Sequence, residues 1–133
     1  MSSHNELVTV LQTLTDGLLW MSETDKPFEV FHWEGQLSNL TDDQLLERTH
    51  HPLGTAIEVV PFDDFFDAAT QKQDWFDAEE EAIAARYELL VSALKQHLND
   101  LKVYRVGEVK IDLYVVGQTH VGVIVLATQA VET

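Results

Sequence analysis

The apolar positions in the first half of the chain predict short helices that alternate with strands. A stripe of leucine and valine residues, three or four positions apart, runs from Leu7 to Leu14 and has the spacing of one helix face. Aromatic and β-branched residues dominate 28–34 (FEVFHWE), a composition typical of a strand. The predicted elements are a helix over 5–15, a loop over 22–27, a strand over 28–34, a helix over 41–48, a strand over 56–60 and a helix over 62–69.

The second half of the chain predicts one long helix followed by strands. From Ile83 to Leu98, apolar residues recur every three or four positions and mark one face of a helix that ends near Asn99. Acidic residues cluster where this helix begins, and the positive end of a helix dipole stabilises carboxylates there. Asp77 and Glu80 have the spacing of a capping box. Strands are predicted over 101–106, 109–115 and 121–127, with a hairpin turn at 117–120.

The last strands differ in pattern, and the difference predicts the fold class. Residues 109–115 alternate between apolar and polar, as in a strand that is buried on one face. Residues 121–127 are apolar on both faces, which predicts an interior strand covered from both sides. The simplest architecture is an α+β domain in which helices cover each face of a sheet. Because the chain has 133 residues, 45% of them apolar, we expect residues 1–133 to form a single domain.

Net charge narrows the classes of partner. The chain has 8 Lys+Arg and 23 Asp+Glu, which gives a formal net charge of −15. Such a surface repels polyanions, so we expect no direct nucleic-acid partner and no membrane partner. A basic protein would be attracted, although an acidic surface also serves solubility alone, and both explanations stay open. The first residues lack a basic segment followed by an apolar one, so we expect no signal peptide and a cytoplasmic location.

Candidate catalytic and metal-binding residues form no familiar constellation in the sequence. Cysteine is absent, and so are a glycine-rich phosphate loop, a GxSxG elbow and an HExxH motif. His50 and His51 are the one close histidine pair, and adjacent side chains seldom bind the same ion. We therefore expect no enzyme, no cofactor and no metal site in the free chain. The alternative is a metal-dependent hydrolase that uses acidic residues with His50 or His51.

Four segments together carry a family resemblance. They are 16–31 (DGLLWMSETDKPFEVF) followed by WEG, 73–75 (QDW), 103–117 (VYRVGEVKIDLYVVG) and the terminal VET at 131–133. In order and spacing they resemble the nuclease A inhibitor family over nearly the whole chain. Residues 36–55 are less similar, and if they touch a partner we expect partner choice to differ there. The resemblance implies a three-layer α-β-α sandwich around a mainly antiparallel sheet, similar to that of plant pathogenesis-related proteins.

The resemblance also implies a target and a set of contact residues. The target is a sugar-non-specific nuclease that cleaves DNA and RNA and holds Mg²⁺ in a ββα-metal active site. In the family, separated pieces of the inhibitor plug that site, and the matching residues here are Glu23, Asp74, Trp75 and Thr133. The alternative is an acidic protein–protein interaction domain that keeps the fold but binds a different partner.

Each implied role has a physical reason, and each residue also has a simpler alternative explanation. The terminal carboxylate of Thr133 is an oxygen ligand of the kind Mg²⁺ prefers, whereas most chain ends merely fray. Glu23 would stand in for a phosphate opposite a basic side chain of the nuclease, or be a solvated loop carboxylate. Trp75 would be an interface anchor or a core residue, and Asp74 a partner contact or a helix cap. Trp20 and Trp33 are assigned to the core.

Overall fold

The computed structural model describes residues 4–16, 18–20, 26–33, 41–70, 77–119 and 122–131. The helices are α1 (His4–Thr15), α2 (Asp42–Arg48), α3 (Phe62–Thr70) and α4 (Ala78–His97). The strands are β1 (Leu19–Trp20), β2 (Lys26–Pro27), β3 (Glu29–Trp33), β4 (Ile57–Pro61), β5 (Asn99–Val106), β6 (Lys110–Thr119) and β7 (Gly122–Val131). Helix and strand together confirm the α+β class.

A five-stranded antiparallel sheet in the order β3-β7-β6-β5-β4 forms the centre of the fold, while β1 and β2 pair separately. Its two ends have different connections. At one end, which we call the Val131 end, Val131 pairs with Lys110 and the β5–β6 hairpin turns. At the other, which we call the Gln118 end, Gln118 pairs with Asn99 of β5 and with Val123 of β7.

Helices α1, α3 and α4 cover one face of the sheet. Leu11 of α1, Phe66 of α3 and Leu90 of α4 are almost completely buried, and they pack with alternate residues of the interior strands. The largest share of the core lies here, because the periodic apolar faces of these helices all turn toward the same sheet surface. On the sheet side that surface consists of Val103, Ile111, Leu113, Val115, Ile124, Leu126 and Ala130.

Helix α2 covers the opposite face and completes the three layers. Thr41 begins it as the N-cap, and the capping box with Gln44 predicted from the sequence is present. Leu45 and Leu46 are buried against the tyrosine and valine side chains of the sheet. The prediction that 109–115 is buried on one face only is therefore wrong, since α2 also buries Tyr114. The likeness to plant pathogenesis-related proteins stays a prediction.

Two local predictions are also wrong, for identifiable reasons. The segment 117–120 was predicted as a turn, but β6 continues to Thr119. Gly117 is required by packing, since a Cβ there would lie 2.7 Å from Leu98 Cβ. The predicted loop 22–27 ends in strand β2, where Pro27 is tolerated because this short ribbon lies outside the main sheet. Within the described ranges, no helix is both long and apolar enough to cross a bilayer.

Candidate partner-binding site

The residues predicted to contact a partner, Glu23, Asp74, Trp75 and Thr133, lie outside the described residues. The structure does describe the elements that flank them in the chain. Strands β1 and β2 stand on either side of 21–25, helix α4 begins shortly after Trp75, and β7 ends two residues before Thr133. The positions of these flanking elements decide whether the predicted residues can serve one binding surface.

The flank of Glu23 lies beside the last strand. Glu29 pairs with Ala127, so the chain followed backwards from β3 runs along β7 toward Val131. The hydroxyl of Thr128 donates to the carbonyl oxygen of Lys26 over 3.3 Å. Lys26 is three residues after Glu23 in the sequence. Strand β2, which follows 21–25 in the chain, therefore lies toward the Val131 end.

Helix α4 begins at the same end. Leu98, just after the helix, packs against Gly117 at the Gln118 end, and the ring of Tyr87 lies 6.3 Å from that of Phe28 near the other end. From Tyr87 back to Asp77 the helix extends about 15 Å further. From the level of Phe28 to that of Val131 the strands extend about 10 Å. The N-terminus of α4, just after Asp74 and Trp75, thus reaches the Val131 end.

The N-terminus of α4 is strongly acidic and solvent-exposed. Asp77 is the N-cap, and its carboxylate accepts from the backbone N–H of Glu80 over 2.8 Å. Glu79, Glu80 and Glu81 fill the first turn, where the helix dipole stabilises negative charge. None of these carboxylates has an ion pair among those that the described residues form. The first turn of α4 therefore presents a cluster of negative charge to solvent at the Val131 end.

A hydrogen-bond network that the sequence did not predict lies at the same end, on the α2 face. His51 Nδ1 is 2.7 Å from Thr49 Oγ1, and His51 Nε2 is 2.5 Å from Asp112 Oδ2. The other oxygen of Asp112 accepts from Gln129 Nε2 over 2.8 Å. The network joins the loop after α2 to β6 and β7. It could not be found from spacing, since His51 and Asp112 are 61 residues apart.

The network resembles a catalytic triad in composition, and backbone carbonyls of α2 compete for the hydroxyl proton of Thr49. The hydroxyl oxygen of Thr49 lies 2.7 Å from the carbonyl oxygen of Leu45 and 3.3 Å from that of Leu46. Asp112 accepts from His51 Nε2, and the carbonyl oxygen of Leu45 and His51 Nδ1 both lie within hydrogen-bond distance of the Thr49 hydroxyl. Among the described residues, no group of three His, Cys, Asp or Glu side chains could hold a metal ion.

Tyr114 packs against this network as a neutral ring. Its ring stands edge-on to that of His51, with the centroids 6.2 Å apart. Burial and, to a smaller extent, the negative charge of Asp112 raise the pKa of Tyr114 to about 12. A hydrogen bond to Thr49 acts in the opposite direction. Tyr114 is therefore uncharged at neutral pH. It serves packing and hydrogen bonding, not proton transfer.

An open groove of about 580 Å³ runs along the α2 face beside the network. Phe31 and Trp33 of β3 line one side of it and Arg48 of α2 the other. The guanidinium of Arg48 lies 5.6 Å from the centroid of the Trp33 ring, a cation–π arrangement that joins α2 to the edge strand. Trp33, which was assigned to the core, is half-buried and packs at the margin of the α2 cluster. The side chain of Trp20 lies outside the described residues.

The family to which the chain belongs indicates what this arrangement of residues does. The family model described as nuclease A inhibitor-like protein matches residues 5–133, nearly the whole chain. The chain belongs to the nuclease A inhibitor-like family. No curated protein matches it. The resemblance inferred from the four segments of the sequence is thereby confirmed.

Membership in the nuclease A inhibitor-like family indicates a role as a nuclease inhibitor. Such a protein acts by binding a nuclease and needs a contact surface, not a nucleophile. In this member of the family, the acidic start of α4, the end of β7 and the β1–β2 ribbon converge at one end of the sheet. That end is the candidate partner-binding site.

Proposed function

We propose that the chain inhibits a sugar-non-specific endonuclease by placing phosphate-like oxygen atoms in a ββα-metal active site. One observation carries the proposal: the elements flanking Glu23, Asp74–Trp75 and Thr133 all reach the Val131 end of the sheet. A plug made of separate pieces of chain requires those pieces to meet at one surface. The fold brings their flanks together there, although they are far apart in the sequence.

In the proposed complex, the terminal carboxylate of Thr133 ligates the Mg²⁺ of the nuclease. Mg²⁺ is a hard cation that prefers oxygen ligands and retains exchangeable waters. A chain-terminal carboxylate, ionised at neutral pH, replaces a water where a phosphate oxygen of the substrate would otherwise bind. Val131 is the last residue of β7, so the strand ends two residues before Thr133, at the end of the sheet where the other flanking elements meet.

The other predicted residues supply charge and apolar contact. Glu23 pairs with a basic side chain that normally binds phosphate, since a charge-assisted hydrogen bond to a carboxylate imitates one to a phosphate. Trp75 fills an apolar contact, as tryptophan commonly does at the centre of interfaces. Asp74 adds a further carboxylate just before the acidic first turn of α4.

Long-range electrostatics brings the two proteins together. A nuclease must attract a polyanion, and this chain carries a net charge of −15. Complementary fields raise association rates toward about 10⁸ M⁻¹s⁻¹ at low salt, and the rate falls as salt screens them. Part of that charge, in the acidic turn at Glu79–Glu81, lies at the same end of the sheet as the proposed plug.

The test is a titration of a purified ββα-metal nuclease with the purified chain. We expect loss of DNA and RNA cleavage at near one-to-one stoichiometry, with association that slows as salt rises. A nuclease of different fold and metal chemistry is the control and should keep its activity. No inhibition at large excess of folded protein would contradict the proposal and favour an acidic interaction domain with another partner.

A further inference from the structure

Two exposed aliphatic side chains, those of Leu53 and Val109, lie at the Val131 end and are not part of the proposed plug. Among the described residues, the large apolar side chains with the greatest exposure are Val10 (46%), Phe31 (42%), Leu53 (71%), Val59 (55%), Leu89 (62%) and Val109 (54%). Single exposed apolar residues are normal on protein surfaces. Leu53 and Val109 differ from the others because both lie at the end of the sheet that carries the candidate site.

Their location follows from backbone contacts. Val109 precedes Lys110, which pairs with Val131 at the end of the last strand. Leu53 lies in the loop between α2 and β4. That loop returns to the β5–β6 hairpin, where the N–H of Gly107 donates to the carbonyl oxygen of Ala56 over 2.9 Å. The loop that carries Leu53 and the hairpin that carries Val109 are therefore hydrogen-bonded neighbours.

The loop that carries Leu53 is fixed at both sides. His51 is bound to Asp112 before it, and the Ala56–Gly107 contact follows it. Inside it, the hydroxyl of Thr55 donates to the carbonyl oxygen of Pro52 over 2.6 Å. An exposed side chain on a loop held in this way loses little conformational entropy when a partner covers it. Leu53 contributes little to the core, so its apolar surface would be removed from water only when a partner covers it.

The surroundings match those of an interface. The apolar pair is bordered by charged residues, Glu108 and Lys110 in the hairpin, while the acidic turn of α4 lies at the same end. Apolar centres with polar and charged rims are typical of protein–protein interfaces. The partner expected at this end is the basic nuclease, whose charge is complementary to that of the surrounding carboxylates.

We infer that Leu53 and Val109 form a second, apolar contact with the nuclease, outside its active site, that helps to select which nuclease is bound. The inference rests on the proposed function. Phosphate-like oxygens fit any ββα-metal site, because every such site binds phosphate and metal. A contact outside the site distinguishes one nuclease from another.

The experiment compares matched substitutions on the full chain against a nuclease that the wild type inhibits. Leu53→Gln and Val109→Thr alter the apolar pair, while Leu89→Gln on α4 and Val59→Thr on β4 alter side chains of similar exposure elsewhere. Neutral replacements keep the net charge, so steering is unchanged. We expect Leu53→Gln to weaken inhibition about tenfold and Val109→Thr about threefold, mainly through faster dissociation. The control variants should stay within about twofold of the wild type.

The outcomes separate the inference from the proposed function. The weakening by Leu53→Gln should be the same at low and high salt, because an apolar contact is not screened. Wild-type inhibition with no effect of either variant of the apolar pair would overturn the inference and leave the proposed function intact. Equal weakening by Leu53→Gln and Leu89→Gln would also overturn it, since the effect would not be local. Failure of the wild type to inhibit would remove the proposed function itself.

Discussion

The two ends of one sheet have opposite characters. At the Gln118 end the chain closes on itself: Gln118 Nε2 donates to the carbonyl oxygens of Thr119 and Gly122 over 2.7 and 3.0 Å. Gly122 has φ +148°, and a Cβ there would lie 2.5 Å from the carbonyl oxygen of Trp33. At the Val131 end, by contrast, apolar and acidic side chains of Leu53, Val109 and the first turn of α4 face solvent.

We expect this difference to separate residues that stabilise the domain from residues that bind its partner. Among the described residues at the Gln118 end, close approach and hydrogen bonding hold the strands together, so we expect changes at Gly117 and Gly122 to act on folding. At the Val131 end, Leu53 and Val109 are exposed and contribute little to folding, so we expect changes there to act on binding. Functional groups are commonly placed on segments that a rigid scaffold positions, and here the scaffold is the other end of the same strands.

The largest expected effect is a loss of stability at the Gln118 end. Gly117→Ala places a Cβ 2.7 Å from Leu98 Cβ and 2.9 Å from a methyl carbon of Leu101. Overpacking of this kind costs about 3 kcal/mol of unfolding free energy, measured by urea denaturation. Inhibition per folded molecule should not change. Gly54→Ala, where nothing lies within 4 Å of the new Cβ, is the control and should cost only about 1 kcal/mol for its positive φ.

The next largest effect is a loss of binding at the Val131 end. Trp75→Ala should weaken inhibition by about 2 kcal/mol, or roughly 30-fold, because it removes an apolar interface anchor. The free energy of unfolding should stay close to that of the wild type. Trp33→Ala is the matched change at the Gln118 end, where Trp33 pairs with Val123, and should lower stability without weakening inhibition. A large loss of stability in Trp75→Ala would place this side chain in the core and break the comparison.

Removing the last residue should have a somewhat smaller effect. Deletion of Thr133, or a tag added after it, should weaken inhibition at least tenfold, about 1.4 kcal/mol, because the terminal carboxylate is displaced from the metal. Circular dichroism and urea denaturation should show an unchanged fold, since β7 already ends at Val131. A tag of the same sequence at the N-terminus is the control. Full inhibition by a C-terminally tagged chain would contradict the proposed role of Thr133.

The smallest expected effect concerns the stability of the fold at alkaline pH, to which Tyr114 contributes. Burial raises the pKa of Tyr114 to about 12, above the unfolded value of 10.0. Tyr114 ionises first in the unfolded chain, so its contribution is fully present below pH 10 and is lost as pH rises toward 12. By pH 11 this loss should reach about 1 kcal/mol relative to neutral pH.

Denaturation curves of the wild type and of Tyr114→Phe test this prediction. The variant should lose less stability than the wild type between pH 9 and pH 11. Tyr104→Phe is the paired variant. The pKa of Tyr104, on the same face, is also raised by burial and by Asp42, so this variant should change the alkaline profile in the same direction. Parallel pH profiles for the wild type and Tyr114→Phe would contradict the assignment.

The sequence predicted what depends on local periodicity. The apolar repeat from Ile83 to Leu98 predicted α4, and the Thr41–Gln44 capping box predicted the start of α2, because both patterns depend on neighbours within a few residues. The segment 117–120 was misassigned because its composition suits a turn, whereas Gly117 is fixed by Leu98 packing against it. Local patterns do not report a contact of that kind.

The candidate site was predicted by a different route. Glu23, Asp74, Trp75 and Thr133 came from family resemblance, since carboxylates and one tryptophan have no distinctive spacing of their own. The network of His51 with Asp112 was missed because the two residues meet only after α2 packs on the sheet. The convergence of distant segments at the Val131 end likewise depends on strand register, which the sequence pattern leaves open.

The most direct test of the central claim is a crystal structure of the chain bound to a ββα-metal nuclease with its Mg²⁺ in place. We expect a carboxylate oxygen of Thr133 at about 2.1 Å from the metal, the usual Mg²⁺–oxygen distance. A complex in which the last residue points into solvent, with another part of the chain covering the active site, would contradict it.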